Sequence, residues 1–191
     1  MIQEIIVTTT NEDGSTHIAP MGISEESGLF IIAPFKPSAT LDNIQRNKIA
    51  VINCIDDVRI FAGCLTGRKE WPLLPTEQIE GYRLEAALSH VELQLKTFED
   101  DELRPRLYCQ AIHEEVHRPF KGFNRAQAAV LEAAILVSRL HMLSDEKIDQ
   151  EIKYMTIAMD KTAGENEKIA WGWLMDKIKT FRKETPKDKT A

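Results

Sequence analysis

Short apolar or β-branched runs separated by turn residues fill most of the first 120 positions, and a three-to-four spacing of apolar residues follows. Period two is the signature of a half-buried strand, and a period near 3.6 that of an amphipathic helix. Ile2 to Thr10 is rich in β-branched residues and ends in the turn Asn11-Glu-Asp-Gly14. Ser15 to Ile23 returns as a second strand, Ser24 to Gly28 turns again, and Leu29 to Ala33 is a third. Three antiparallel strands in so short a stretch predict a meander or a barrel wall. Pro34 to Ile44 then reads as a turn and a short helix, followed by a fourth strand over Ile49 to Ile55. A short helix capped by Asp56 or Asp57 is expected next, and Arg68 to Tyr82, with Pro72 and Pro75, reads as loop. Ala87 to Phe98 and Arg106 to His117 predict two further strands joined by the acidic turn 99–102.

The back third is helical. Ala126, Ala129, Val130, Ala133, Val137 and Leu140 share one face of a helix over 124–143, with Asn124 at its N-cap. A second helix begins near Ser144 and carries Ile148, Ile152, Met155 and Met159 on one stripe. A third begins near Glu165 with Ile169, Trp173, Leu174, Ile178 and Phe181, after the break Thr162-Ala-Gly164. These stripes read as core packing. The expected fold class is therefore α+β: a β domain over 1–120, a helical extension over 121–183 packed on it, and a flexible tail over 184–191.

At 191 residues the chain fits one domain with an extension, and its apolar fraction is that of an ordinary globular protein. A formal net charge of −6 with no basic stripe argues against nucleic acid as a partner. No apolar run is long enough for a bilayer, and the first residues carry an acid where a signal peptide carries bases. Cys54, Cys64 and Cys109 have no CxxC spacing and leave one unpaired, so the expected compartment is the reducing cytoplasm, with Cys54 and Cys64 as inert core thiols.

The turn after the third strand holds the most chemistry. Lys36, Ser38 and Thr40 place an ammonium and two hydroxyls around a helix start, whose unpaired N–H groups and positive dipole end favour an anion. By spacing alone this is either a phosphate site or a solvated turn whose helix Ser38 caps. Arg68, in a Gly-containing turn, and Asn124 with Arg125, at the start of the long helix, are secondary anion candidates. Arg59 reads as a local salt-bridge partner of the neighbouring aspartates.

Thr40-Leu-Asp-Asn43-Ile44, followed by Ile49-Ala-Val-Ile-Asn53, resembles the Thr-x-x-Asn-Ile stretch and following strand of the FMN-binding split-barrel flavoproteins, the flavin-reductase-like superfamily. A closer resemblance is to an uncharacterised branch typical of methanogenic archaea and methylotrophic bacteria. It is carried by Thr9-Thr-Asn-Glu-Asp-Gly14, His17-Ile-Ala-Pro-Met-Gly22, Pro34-Phe-Lys-Pro-Ser-Ala-Thr40, Asp57-Val-Arg-Ile-Phe-Ala-Gly63 and Gly122-Phe-Asn-Arg-Ala126. The resemblance implies a six-stranded split barrel that binds FMN non-covalently at a homodimer interface. It places Thr40 on the family's phosphate-binding threonine and Asn43 on the asparagine three residues later. Flavin reductases often carry Arg-Lys-Asp ahead of that threonine; here Pro37, Ser38 and Ala39 stand there and the cation is Lys36. His17, Ala19, Pro20 and Met21 fall on the strand that flanks the flavin ring, with His17 either at the flavin edge or a structural histidine.

The implied function is FMN-dependent hydride transfer at flavin N5. A reduced nicotinamide, a deazaflavin or a pterin would be the electron partner, docking transiently, since no Gly-rich dinucleotide fingerprint is present. The alternatives are a flavin-binding protein without turnover (an electron carrier, sensor or FMN chaperone) and a zinc hydrolase using His113-Glu114-x-x-His117. The second needs a helix. On the expected strand the two histidines would lie about 13 Å apart, too far for one zinc, so the segment reads as a solvent-facing polar strand end.

Overall fold

Eight strands and five α-helices form among residues 1–184, the part of the chain that the computed structural model describes. The tail expected from 184 lies, beyond Glu184, outside the described residues. The strands are β1 (Gln3–Thr10), β2 (Thr16–Glu26), β3 (Leu29–Ile32), β4 (Ile49–Cys54), β5 (Leu73–Pro75), β6 (Tyr82–Leu84), β7 (Ser89–Glu99) and β8 (Arg106–Val116). Six of them close an antiparallel barrel in the order β1-β2-β3-β8-β7-β4, with β4 returning to β1. Closure removes the exposed sheet edges that an open meander would leave.

The apolar runs read from the sequence fill this barrel. Ile5 and Val7 of β1, Ile52 of β4, Val91 and Leu93 of β7 and Leu107 and Cys109 of β8 meet in one buried cluster. Each fully buried Ile or Leu contributes about 1.5–3 kcal/mol by the apolar area it removes from water. Helix α1 (Ala39–Asn47) adds Leu41 and Ile44 to the same cluster. Strand β2 runs to Glu26, three residues beyond its expected end. The turn is the two-residue Ser27-Gly28, both at positive φ (53° and 77°), the geometry a type I′ hairpin demands.

The segment expected as loop contains a small hairpin of β5 and β6. Asn53, with no exposed surface, ties this hairpin to the barrel. Its Oδ1 accepts from the Leu84 N–H at 2.7 Å, and its Nδ2 donates to Thr8 Oγ1 at 3.2 Å. The Thr8 hydroxyl in turn donates to the Tyr82 carbonyl at 2.6 Å.

The chain divides into two compact units: Met1–Asp56 with Glu70–Phe120, and Asp57–Lys69 with the chain from Lys121 onward. The second unit thus recruits α2 (Arg59–Thr66) from within the front half, joining α3 (Arg125–Ser138), α4 (Asp145–Thr162) and α5 (Glu165–Glu184). Its core gathers Ile60, Val130, Ala133, Ile148, Leu174 and Ile178, all almost fully buried. The cap of α2 differs from expectation: Val58 occupies the N-cap position. Asp57, one residue earlier, accepts from the Arg59 N–H at 3.1 Å and pairs with the Arg59 guanidinium at 2.6 Å. The aspartate satisfies an orphan N–H of the first turn without being the cap itself.

Candidate functional site

The start of α1 carries the residues on which an anion site was expected. Ser38 is its N-cap, with extended backbone, and its Oγ accepts from the Leu41 N–H at 3.3 Å. Replacing Ser38 with alanine is expected to cost about 1 kcal/mol of stability, read as a lower urea midpoint at unchanged slope. Unchanged midpoint would mean that the cap contributes nothing. The Lys36–Pro37 peptide bond just before it is cis. Lys36 Nζ lies 2.7 Å from Asp100 Oδ1, and this partner ammonium holds the Asp100 carboxyl below the usual carboxylate range.

Thr40 is fully buried, and its Oγ1 has no hydrogen-bond partner. Such an orphan hydroxyl costs stability unless something accepts from it or donates to it. Asn43 is also buried, but it is fully engaged. Its Nδ2 donates to Thr9 Oγ1 at 3.0 Å and Asn11 Oδ1 at 2.8 Å, and its Oδ1 accepts from Arg46 at 2.7 Å. Asn43 therefore fixes α1 against β1, and so positions the helix start that precedes it.

A cleft of about 580 Å³ opens beside this start, lined by Lys36, Ser38, Leu41, Gln45, Phe98 and Asp100 among others. That volume falls within the range of small-ligand pockets. The cleft joins a cation, a hydroxyl, the carboxylates of Asp42 and Asp100, and apolar surface from Leu41 and Phe98. Thr40 does not line it, although its neighbour Leu41 does.

The β2 candidates lie along one strand, where successive side chains alternate between faces. Met21 packs against the barrel core, so His17 and Ala19 share its face and Pro20 takes the other. His17 pairs across to Thr9, beside the Asn43 anchor.

Arg68, Asn124 and Arg125 belong to the helical unit. The Arg68 guanidinium sits over the Trp173 ring, 4.4 Å from its centroid, and donates to Thr66 Oγ1 at 2.9 Å. Asn124 caps α3, accepting from the N–H groups of Ala126 and Gln127 at 2.7 and 3.2 Å. Its own side chain thereby occupies the start of α3, where the sequence offers an alternative anion site. Arg125 lines a hollow of about 630 Å³ between α3 and α4. That hollow carries Arg125, Arg139 and Lys147 with Glu132 and Glu151 and is otherwise largely apolar, whereas the α1 cleft carries Lys36 with Asp42 and Asp100. What favours the α1 cleft for an anion is its helix start and capping hydroxyl, not its charge balance. None of the three cysteines forms a disulfide among the described residues. Burial pushes Cys64 up to about 11 and Cys109 up to about 12, which keeps both protonated and unreactive at neutral pH.

His113 and Glu114 stand next to each other on β8, so they point to opposite faces, and Glu114 is exposed. The zincin arrangement, with its glutamate beside a metal held by helical histidines, is absent here. The expectation of a solvent-facing polar strand end is nevertheless corrected. The His117 ring lies nearly parallel to that of His90 on β7, at 12° and 5.0 Å between centroids, and His113 is 5.7 Å from His90. His90 and Glu92 have no exposed surface. Both alternate with the barrel-facing Val91 and Leu93, so a period-two reading assigns them to solvent. The turn after β5 covers them instead, through N–H groups of Glu77, Gln78 and Ile79 that all donate to the Glu92 carboxylate at 2.6–2.9 Å.

No curated protein sequence matches the chain. An FMN-bound protein from Methanosarcina mazei has a similar solved structure, with a TM-score of 0.78 at 21% identity over 92% of this chain and 94% of that one. The barrel is also similar to the 2-nitrobenzoate 2-nitroreductase NbaA of Pseudomonas fluorescens, with a TM-score of 0.53 at 22% identity over 60% of this chain and 64% of that one. An FMN-binding protein from Thermus thermophilus gives a TM-score of 0.51 at 14% identity, covering 59% and 69% of the two chains. At these identities the likeness shows the fold alone, a six-stranded split barrel with C-terminal helices. Residues 3–118 match the family model described as "Protein of unknown function (DUF447) N-terminal domain", and residues 124–176 match its companion, "Protein of unknown function (DUF447)". The chain belongs to the DUF447 family.

Proposed function

We propose that this protein binds FMN with the phosphate at the start of α1 and works as an FMN-dependent oxidoreductase, in the cytoplasm and as a homodimer. The observation that carries the reading is the conjunction at one helix start: an ammonium, a capping hydroxyl and a buried threonine hydroxyl with no partner. The FMN-bound relative supports the choice of ligand. Bound FMN supplies hydride transfer at N5, and the protein supplies binding, orientation and polarity.

Each residue has a task in this scheme. Lys36 exchanges the Asp100 carboxylate for a phosphate oxygen, a monoanion for a dianion. The α1 start adds N–H groups and its dipole. Thr40 gains the acceptor it lacks, if a small shift of the first turn brings its hydroxyl to the cleft. Asn43 keeps that turn in register through Thr9 and Asn11. The backbone of β2 over residues 17–21, rather than its core-packed side chains, is the wall proposed for the ring.

Turnover is tested by mixing the FMN-loaded protein anaerobically with NADH, with NADPH, and with reduced deazaflavin and pterin donors. Loss of the oxidised-flavin absorbance with one donor, faster than for free FMN, is the expected result. A spectrum that no donor bleaches would overturn the oxidoreductase assignment and leave an electron carrier or sensor.

A further inference from the structure

We propose that His90, His113 and Glu115, with His117 as an adjoining donor, form a site for one divalent transition-metal ion, zinc being the expected occupant. The strand register brings the groups together. His90 on β7 pairs with Glu115 on β8, and Glu92 with His113, so two histidines and two glutamates alternate on one outer face. His117 follows directly after β8 and is held over the same face by its N–H, which donates to the Leu88 carbonyl at 2.7 Å.

The donor atoms converge. One ligand atom each from His90, His113 and Glu115 lie within 4.8 Å of one another. His117 Nε2 is 2.9 Å from His90 Nδ1, and Glu115 Oε2 is 3.9 Å from His113 Nε2. Ligands about 2.0–2.1 Å from a tetrahedral zinc stand roughly 3.3 Å apart, so an ion needs shifts on the order of only an ångström to seat. His113 Nε2 is buried without a hydrogen-bond partner, as expected of a lone pair that awaits a cation.

Outer support is already built. His90 Nε2 lies 3.3 Å from Glu92 Oε1, and three backbone N–H groups hold that carboxylate in place. An anion there keeps the proton on His90 Nε2 and turns the Nδ1 lone pair toward the other donors, the carboxylate–histidine–metal relay of many zinc proteins. Three imidazoles and one carboxylate suit zinc better than magnesium or calcium, which require oxygen ligands. The site is separate from the α1 cleft. Phe98, which lines that cleft, is eight residues further along β7, up to about 27 Å of extended strand.

The test is equilibrium dialysis of the chelator-stripped full chain against zinc, with bound metal read by atomic emission and FMN titrated into the same samples. One equivalent per chain with micromolar or tighter affinity is expected, weakened at least tenfold in His113→Gln and in Glu115→Gln. Glu115 is half exposed in its side chain, so its variant separates metal loss from misfolding. Zinc should also raise the unfolding temperature of the parent and leave that of Glu115→Gln nearly unmoved. No zinc above buffer, or stoichiometric zinc undiminished in both variants, overturns the site. FMN affinity is expected to be equal across the set, so failure here leaves the flavin reading standing.

Discussion

Glu92→Ala is expected to destabilise the barrel by about 3–5 kcal/mol, the largest loss among single substitutions considered for this chain. The carboxylate has no exposed surface and collects the N–H groups of Glu77, Gln78 and Ile79 as well as His90 Nε2. Truncation leaves three buried backbone donors and an imidazole N–H without an acceptor, each carrying a desolvation cost. Burial alone pushes this carboxyl upward, but the hydrogen bonds outweigh it and hold the group below its ordinary value. It is therefore a charged anchor at neutral pH. The turn that shields it also presents Tyr82 and Leu84 to Thr8 and Asn53, so its release loosens the hairpin as well. In a thermal melt the loss should appear as a drop of about 6–20 °C. Glu92→Gln, which keeps the shape but turns an NH₂ toward donors, should fall between. A decrease below 1 kcal/mol for the alanine variant would mean that water replaces the carboxylate.

The second large effect concerns the cofactor. Lys36→Ala is expected to weaken FMN binding by about one to two orders of magnitude, the loss of one charge-assisted hydrogen bond. Asp100 competes for the same ammonium, so Asp100→Asn should move affinity the other way, by a smaller factor, since the pair is exposed to solvent and screened. Opposite signs from two residues that touch each other would identify the ammonium as the phosphate ligand. Calorimetric titration of FMN into the three proteins reads both. Equal affinities in all of them would remove Lys36 from the site.

The barrel strands were legible because they are apolar or β-branched runs bounded by turn residues; β3, four apolar residues that follow Gly28, shows no period of its own. β5 and β6 were not legible: three residues apiece, one of them Pro75, are too short a run to stand out. The α1 start was also legible, since Ser38 as a cap needs only local sequence. The partner of Lys36 was not, because Asp100 is 64 residues away and only the β7–β8 end brings it near. The His90–Glu92–His113 cluster escaped for a different reason. Its residues obey the alternation of an exposed strand face, and only the covering turn from 76 to 81 makes that face an interior. The histidines of His113-Glu-Glu-Val-His117 gain meaning from a third histidine on the neighbouring strand, which no spacing within the motif can reveal.

The central claim is that the α1 start holds a phosphate. It is tested most directly by comparing FMN with riboflavin, which has the same rings and no phosphate, in fluorescence-quenching titrations of the cofactor-free protein. Two or three charge-assisted hydrogen bonds predict FMN to bind at least about a hundredfold more tightly. Equal affinities, or no quenching by either ligand, would contradict the account.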